Sequence, residues 1–234
     1  MTYLSRLADL KKPARIQRLF LASAFLFSGI SAPAAKADRI LFIGDSHAAG
    51  TFGRVLDERL RTIADAEVTS FGSCGSSPAW WFKGTSTPCG YFERLSGQRE
   101  GKYKKTSPTP LLPTLLETLK PGVVIIEQGA NLVLESAEVI TAQTRKMAEA
   151  VVKSGARCAW IGPPHSRKYD RTNLYETLEP EARRSGCAFI DSRPFTHYPA
   201  TGGDGVHYDS IPVSGRMLAT TWAESVLAEI KKQL

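Results

Sequence analysis

The 234-residue sequence has no apolar run long enough to cross a membrane, no internal repeat and no low-complexity tract. Its longest apolar run, residues 19–30, has only 12 residues, whereas a spanning helix needs roughly 20. The composition is that of a globular protein, with 42% hydrophobic and 23% charged residues. A chain of this length and composition is expected to form one domain with a substantial core.

Residues 1–37 have the three zones of an export signal. A basic lead is followed by the apolar run, and small residues then lead to Ala35-Lys36-Ala37, which fits the A-x-A cleavage pattern ahead of Asp38. An uncleaved amphipathic anchor and a buried helix are the alternatives. We predict a cleaved signal peptide over residues 1–37, a mature domain over residues 38–234 without stable membrane insertion, and a periplasmic or secreted location.

The same leader carries most of the excess positive charge. It contains six basic residues and one acidic residue, so its removal leaves 24 basic and 22 acidic residues and lowers the net charge from +7 to about +2. The sequence therefore does not predict a nucleic-acid-binding protein. One basic cluster remains at residues 99–105. It is interpreted as a solvated loop, with contact to an anionic polymer surface as the alternative.

Only four cysteines are present: Cys74, Cys89, Cys158 and Cys187. An even number in an exported chain permits disulfides, but spacing leaves their connectivity open. Cys158 and Cys187 each begin an apolar run, and their thiols would lie side by side if those runs are neighbouring parallel strands. That pair is our first prediction, and it leaves Cys74 with Cys89. A C-x14-C spacing without a further Cys or His pair is a poor zinc pattern, and we predict no metal and no other cofactor.

Short apolar runs alternate with longer amphipathic ones after the leader, which predicts a parallel sheet covered by helices on both faces. The predicted strands are residues 40–43, 67–71, 123–127, 158–161 and 188–191. The predicted helices are residues 52–63, 111–119, 137–152, 175–184 and 214–232. The expected fold is a three-layer α/β/α sandwich around a five-stranded parallel sheet. Residues 76–110 have no clear period and are predicted to form a long functional or mobile loop.

The strongest chemical signal is the segment G-D-S-H at residues 44–47, where the first predicted strand ends. Ser46 would lie near a helix N-terminus, but a serine needs a neighbouring base to become a nucleophile. The segment D-G-V-H at residues 204–207 offers a carboxylate three residues before an imidazole, which is the logic of a Ser–His–Asp triad. Taken singly, the two segments are also consistent with a helix cap and a surface turn.

An acyl-transfer site also needs hydrogen-bond donors for its oxyanion. Asn131 follows the central predicted strand in the segment G-A-N, and its amide would point over the same edge of the sheet. Gly75 follows the second strand and could bring a backbone N–H close, with Gly72 as its rival for that role. A capping asparagine and turn glycines are the alternatives for these residues taken one at a time.

Together these segments resemble the SGNH (GDSL-type) hydrolase family over about residues 40–222, in the family's order. By that resemblance the nucleophile of block I is Ser46, the glycine of block II is Gly75, the asparagine of block III is Asn131, and the block V pair is Asp204 and His207. The resemblance implies a flavodoxin-like SGNH fold and a serine esterase whose oxyanion donors come from the first three of these residues.

Two positions depart from the family pattern. The GDSL motif reads G-D-S-H, a variant similar to that of SGNH domains attached to membrane acyltransferases that acetylate envelope sugars. We expect His47 to pack beside the site and not to act as the base. Leu132 takes the place of the aspartate in G-x-N-D, which removes a polar neighbour of Asn131 and leaves the orientation of its amide open.

Clues to the substrate are fewer. Trp80 and Trp81 follow the predicted oxyanion glycine, and exposed aromatic rings can stack on sugars, but a small core beneath a loop is the favoured alternative. His165 follows another strand at the same edge of the sheet and is a candidate pocket residue, with a plain loop histidine as the favoured alternative.

The sequence thus predicts hydrolysis of a carboxylic ester, most simply an O-acetyl group on peptidoglycan or another envelope polysaccharide, through an acyl-Ser46 intermediate. The expected partner is an acylated saccharide or a small ester, and the sequence does not indicate the oligomeric state. Two alternatives remain: transfer of the acyl group to a sugar hydroxyl by the same triad, and a catalytically silent carbohydrate-binding protein.

Overall fold

A computed structural model describes residues 39–233, so the predicted signal peptide and its cleavage before Asp38 lie outside the described residues. The strands are β1 (Arg39–Gly44), β2 (Glu67–Ser73), β3 (Ser86–Thr87), β4 (Tyr91–Arg94), β5 (Lys102–Lys104), β6 (Ser107–Pro108), β7 (Val123–Glu127), β8 (Arg157–Ile161) and β9 (Ala188–Ile190). The helices are α1 (Ser46–Ala49), α2 (Thr51–Leu60), α3 (Trp80–Lys83), α4 (Leu112–Leu119), α5 (Ala137–Lys153), α6 (Thr172–Arg184) and α7 (Gly215–Gln233). Within this part of the chain, no helix is both long and apolar enough to span a membrane.

One sheet organises the domain, with the strand order β5-β4-β2-β1-β7-β8-β9. The run from β2 to β9 is parallel throughout, and its order is that of a flavodoxin-like doubly wound sheet. All ten predicted elements are present, with ends shifted by at most three residues. The predicted α/β/α sandwich around five parallel strands is therefore confirmed.

The structure differs from the sequence prediction in residues 76–110, where we expected only a loop. Here β4 and β5 extend the β2 edge of the sheet as antiparallel strands, and β3 pairs with β6 in a separate ladder. All three residues of β5 are exposed, so no alternation of apolar and polar residues marks it as a strand. Segments this short give little periodic signal.

Helices cover both faces of the sheet, which explains why the central strands are almost wholly apolar. On one face α2 and α7 bury Phe52, Leu56, Trp222 and other apolar side chains against the strands. On the opposite face α4, α5 and α6 contribute a second cluster that includes Met147 and Leu178. The two layers leave the carboxyl ends of the parallel strands open at one edge.

Both predicted disulfides are present. Cys158 in β8 is bonded to Cys187, which lies one residue before β9, so the pairing follows from neighbouring parallel strands as expected. Cys74 is bonded to Cys89, which ties the end of β2 to the segment that enters β4.

Candidate active site

Ser46 is held at the carboxyl edge of the sheet because α1 begins directly after β1. Two glycines allow this short helix to lie against the strand ends. A Cβ atom on Gly44 would lie 2.4 Å from the Cβ of Ala48, and one on Gly72 would lie 2.3 Å from the backbone nitrogen of Ala49. Any larger residue at either position would therefore push α1, and Ser46 with it, away from the sheet.

Ser46, His207 and Asp204 form a continuous hydrogen-bonded chain, although 161 residues separate the first two. The Nε2 atom of His207 lies 3.0 Å from the Ser46 hydroxyl oxygen, and its Nδ1 atom lies 2.6 Å from Oδ2 of Asp204. When Nδ1 carries the ring proton and donates a hydrogen bond to the carboxylate, Nε2 is left to accept the serine proton. The structure therefore brings together the three residues of the predicted triad.

Asp204 is kept ionised by the donors around it. Partial burial acts to raise its pKa, but hydrogen bonds from the His207 ring and from the backbone N–H groups of His207 and Val206 outweigh burial, so the pKa lies well below its ordinary value. Both backbone bonds are 2.8 Å long, and the Ser210 hydroxyl donates to the same carboxylate oxygen over 3.0 Å. An ionised Asp204 stabilises the imidazolium that forms when His207 takes up a proton.

The three candidate oxyanion donors are held in different ways. The backbone N–H groups of Ser46 and Gly75 donate to no other described residue. Gly72, in contrast, lies inside β2, where it pairs with β1 and β4, so Gly75 is the better placed of the two glycines. The Asn131 amide donates to the backbone oxygen of Ser76 over 3.0 Å. That contact orients the amide, whereas the side chain of Leu132 is buried in the core.

A cavity of about 390 Å³ opens over Ser46, Asn131 and His207. Its further walls come from loops and include Val133, Leu134, Glu135, Lys168, Tyr169 and Val206. The Leu134 side chain is 83% exposed, so it offers an apolar surface at the mouth of the cavity. Sequence reasoning missed these wall residues because they lie in loops that have no periodic pattern and match no motif.

The candidate substrate-binding residues lie outside this cavity. Trp81 is fully buried in the core, and Trp80 lies beside Gly75 without lining the cavity. The His165 ring stacks on His197 at 5.4 Å between centroids, and its Nδ1 accepts the N–H of Tyr198. The structure therefore does not bring these three candidates to Ser46, which agrees with the alternatives of a small core and a loop histidine.

His47 packs beside the triad, as expected from the sequence. Its ring is buried, lies edge-on to Trp222 at 5.4 Å between centroids, and is 5.5 Å from the His207 ring. Burial, followed by the positive charge of Arg171, holds its pKa well below the ordinary value. His47 is thus a neutral packing residue. The residue in the position of the base is His207, which contacts both Ser46 and Asp204.

Comparisons with known proteins agree with this geometry at the level of the fold. No protein-family model matches the chain, and no curated protein matches it either. Among solved structures, it is similar to a protein from Slackia heliotrinireducens assigned as an SGNH hydrolase (TM-score 0.53, 19% identity, 82% of this chain and 100% of that chain). It is also similar to a peptidoglycan O-acetylesterase (0.52, 14%, 84% and 92%) and to a family 3 carbohydrate esterase from Clostridium thermocellum (0.53, 12%, 84% and 98%). The chain has the fold of the SGNH hydrolases.

Proposed function

We propose that the protein is a serine esterase that cleaves carboxylic esters through an acyl-Ser46 intermediate. The observation that carries the proposal is the hydrogen-bonded chain from Ser46 through His207 to Asp204. The Ser46 oxygen attacks the ester carbonyl while Nε2 of His207 takes its proton, and His207 then returns that proton to the departing alcohol. Water enters next, gives a proton to His207 and releases the acid, and Ser46 regains its proton.

Each tetrahedral intermediate carries a negative charge on the former carbonyl oxygen. The N–H groups of Ser46 and Gly75 supply two donors for it. The Asn131 amide supplies a third through the hydrogen that faces Asp45 Oδ2 over the long distance of 3.4 Å, which it then shares between that oxygen and the oxyanion. Preorganised donors of this kind contribute more to acyl transfer than the same groups would in water, because they do not have to reorient as the charge develops.

Hydrolysis is favoured over transfer to a sugar hydroxyl by the exposure of the triad. The side chains of His207 and Asp204 are 40% and 47% exposed, so water reaches the base, whereas a transferase must exclude it. The proposed substrate is an O-acetyl group on peptidoglycan or another envelope polysaccharide. Support comes from the names of the similar carbohydrate esterases and from two disulfides, which are typical of exported proteins.

The proposal is tested with p-nitrophenyl acetate and the variants Ser46→Ala, His207→Ala and His165→Ala. We expect the first two to lower kcat by about 10³-fold or more. The third should leave kcat unchanged, because His165 is an exposed histidine outside the cavity. Equal background rates for all four proteins would overturn the proposal and favour a saccharide-binding protein. Acetate release from acetylated glycans, with the same variants, then tests the substrate.

A further inference from the structure

Three ionisable side chains are buried behind the nucleophile, and the proposed reaction uses none of them. Asp45 and Glu127 are fully buried, and Arg171 is only 5% exposed. They come from three separate parts of the fold: the turn after β1, the end of β7 and the segment before α6. Buried charges are costly unless they are paired, so the burial of these three groups needs an explanation.

Asp45 contacts both halves of the candidate catalytic machinery. Its Oδ1 accepts the backbone N–H of His47 over 2.9 Å, which fixes the turn that carries Ser46. Its Oδ2 lies 3.4 Å from the amide nitrogen of Asn131. Both contacts come from N–H donors. Burial raises the pKa of Asp45, whereas the His47 N–H and the positive charge of Arg171 act against that rise. An ionised carboxylate is the acceptor that such N–H donors favour.

Glu127 has a different environment. Its Oε2 accepts the backbone N–H of Asp45 over 3.3 Å, and its Oε1 has no hydrogen-bond partner among the described residues. Burial, followed by the negative charge of the adjacent Asp45, holds the pKa of Glu127 well above its ordinary value. Two buried carboxyl groups in contact do not both ionise. The one with fewer N–H donors, Glu127, therefore keeps the proton.

Arg171 supplies the opposite charge. Its Nη1 donates to the backbone oxygen of Pro164, whereas Nε and Nη2 have no hydrogen-bond partner among the described residues. Its positive charge acts on both Asp45 and Glu127. Arginine remains protonated even where burial lowers its pKa, as it does here.

The other titratable groups that face this cluster are His47, His207, Tyr175 and Tyr208. His47 is neutral, and burial raises the pKa values of both tyrosines, so they are neutral as well. His165 also faces Arg171, and burial together with His197 and Arg171 lowers its pKa. Before catalysis begins, Arg171 is therefore the counter-charge of the carboxyl pair.

We propose that Arg171 and a protonated Glu127 are positioning residues that keep Asp45 ionised, so that Asp45 fixes the Ser46 turn and the Asn131 amide for catalysis. This inference rests on the proposed esterase function. It adds to that function a pair of residues that never touch the substrate and that act through one carboxylate.

Activity as a function of pH tests the proposal. Glu127→Gln preserves a neutral donor and is expected to keep kcat/KM for p-nitrophenyl acetate within about threefold, less than about 0.7 kcal/mol in the barrier. Arg171→Met should lower kcat/KM at neutral pH about tenfold and move its acid limb to higher pH, because the loss of an opposite charge raises the pKa of a carboxyl group. Arg171→Lys should restore most of both. Arg94→Met, which removes a cation from the buried Asp57, is the matched control and should leave the pH profile unchanged.

Carboxyl ¹³C NMR of the purified protein provides a readout that does not depend on turnover. We expect a resonance that is absent from Glu127→Gln to remain in the protonated form at neutral pH, and the Asp45 carboxyl to take up a proton at that pH in Arg171→Met. The proposal is overturned if Glu127 ionises in its ordinary range, or if Glu127→Gln loses as much activity as Arg171→Met. If the wild type has no Ser46-dependent turnover, the esterase function fails, and the NMR titration alone still decides the charge of the pair.

Discussion

Two buried aspartates in this protein are stabilised in different ways. Asp57 in α2 accepts hydrogen bonds from Arg61, Arg94 and Ser70, at 2.6 to 3.1 Å, so its acceptor capacity is used by partners that are themselves fixed. Asp45 instead lies against a second buried carboxyl group, that of Glu127, whose Oε2 accepts the Asp45 backbone N–H over 3.3 Å, and Arg171 keeps N–H groups that bond no described residue.

The difference indicates that the contacts of Asp57 serve the stability of the fold, whereas those of Asp45 serve the site around Ser46. The partners of Asp57 use all of its acceptor positions and fix α2 against the β2–β4 edge of the sheet. Its charge is therefore neutralised by the arginines that it contacts. Charges that are not saturated still act on their neighbours, and perturbed groups of that kind concentrate at functional sites. Matched substitutions in the two regions test this distinction.

The largest contrast is expected between Asp204→Asn and Asp57→Asn. Loss of the Asp204 charge leaves His207 in the wrong tautomer and should lower kcat by about 10³ to 10⁴-fold. Asp57→Asn removes the carboxylate that pairs with two partly buried arginines, Arg61 and Arg94, and should lower the free energy of unfolding by about 3 kcal/mol, with kcat per folded molecule unchanged. Esterase kinetics and urea denaturation of both variants measure this contrast. A loss of kcat in Asp57→Asn comparable to that in Asp204→Asn would remove the distinction.

Asn131 and Gln143 form the next pair, because both carry an amide that contacts the segment after β2. Asn131→Ala removes an oxyanion donor and should lower kcat by about 10² to 10³-fold. Gln143 accepts the N–H of Ala79 over 3.1 Å but does not line the cavity, so Gln143→Ala should change kcat less than about twofold. Equal kcat values for the two variants would exclude Asn131 as an oxyanion donor.

The two disulfides allow a further comparison between a bond near the site and a bond far from it, with a smaller expected effect on catalysis. Replacement of either cysteine pair by alanine should cost about 3 kcal/mol of stability, because the closed loops are of moderate length. Only the loss of Cys74–Cys89 should also lower kcat, since Gly75 follows Cys74 directly. Thermal unfolding and kcat of the two double variants decide this, and an equal loss of kcat in both would contradict it.

The smallest expected effects are on the pH dependence of stability, and they have opposite signs for Glu127 and Asp204. Glu127 keeps its proton above its unfolded pKa of about 4.5, so the stability that it contributes falls as pH rises above that value. Glu127→Gln should therefore gain Tm relative to wild type between about pH 5 and 8. Asp204 has a lowered pKa, so the stability that it contributes is present above about 3.8 and is lost as pH falls below it. The deficit of Asp204→Asn in Tm should accordingly shrink in acid. Melting curves from pH 3 to 8 would contradict this account if both variants changed in parallel with the wild type.

The sequence predicts the parallel sheet and the place of the triad segments for a physical reason. Strands covered on both faces must be apolar throughout, and the residues that follow them meet at one edge. The same logic leaves β4 and β5 unpredicted, because neither is buried on both faces. Lys168 and Tyr169 also lie in a loop without periodicity, and only the folded chain shows that they line the cavity.

One overlooked signal was available. Glu127 ends the run V-V-I-I-E, every residue of which is buried, and a carboxyl group in such a run needs a partner or a proton. The sequence could therefore have marked Glu127 as unusual, although it could not have identified Arg171. Trp81 is the opposite case, because a residue that the sequence offered as a substrate-binding candidate is part of the core.

The most direct test of the central claim is intact-protein mass spectrometry after reaction with diethyl p-nitrophenyl phosphate, which transfers its diethylphosphoryl group to an activated serine. The account predicts one adduct per chain, located on the peptide that contains Ser46, absent from Ser46→Ala and formed far more slowly in His207→Ala. An unmodified wild-type protein, or an adduct on another residue with Ser46 intact, would contradict the assignment of Ser46 as the nucleophile.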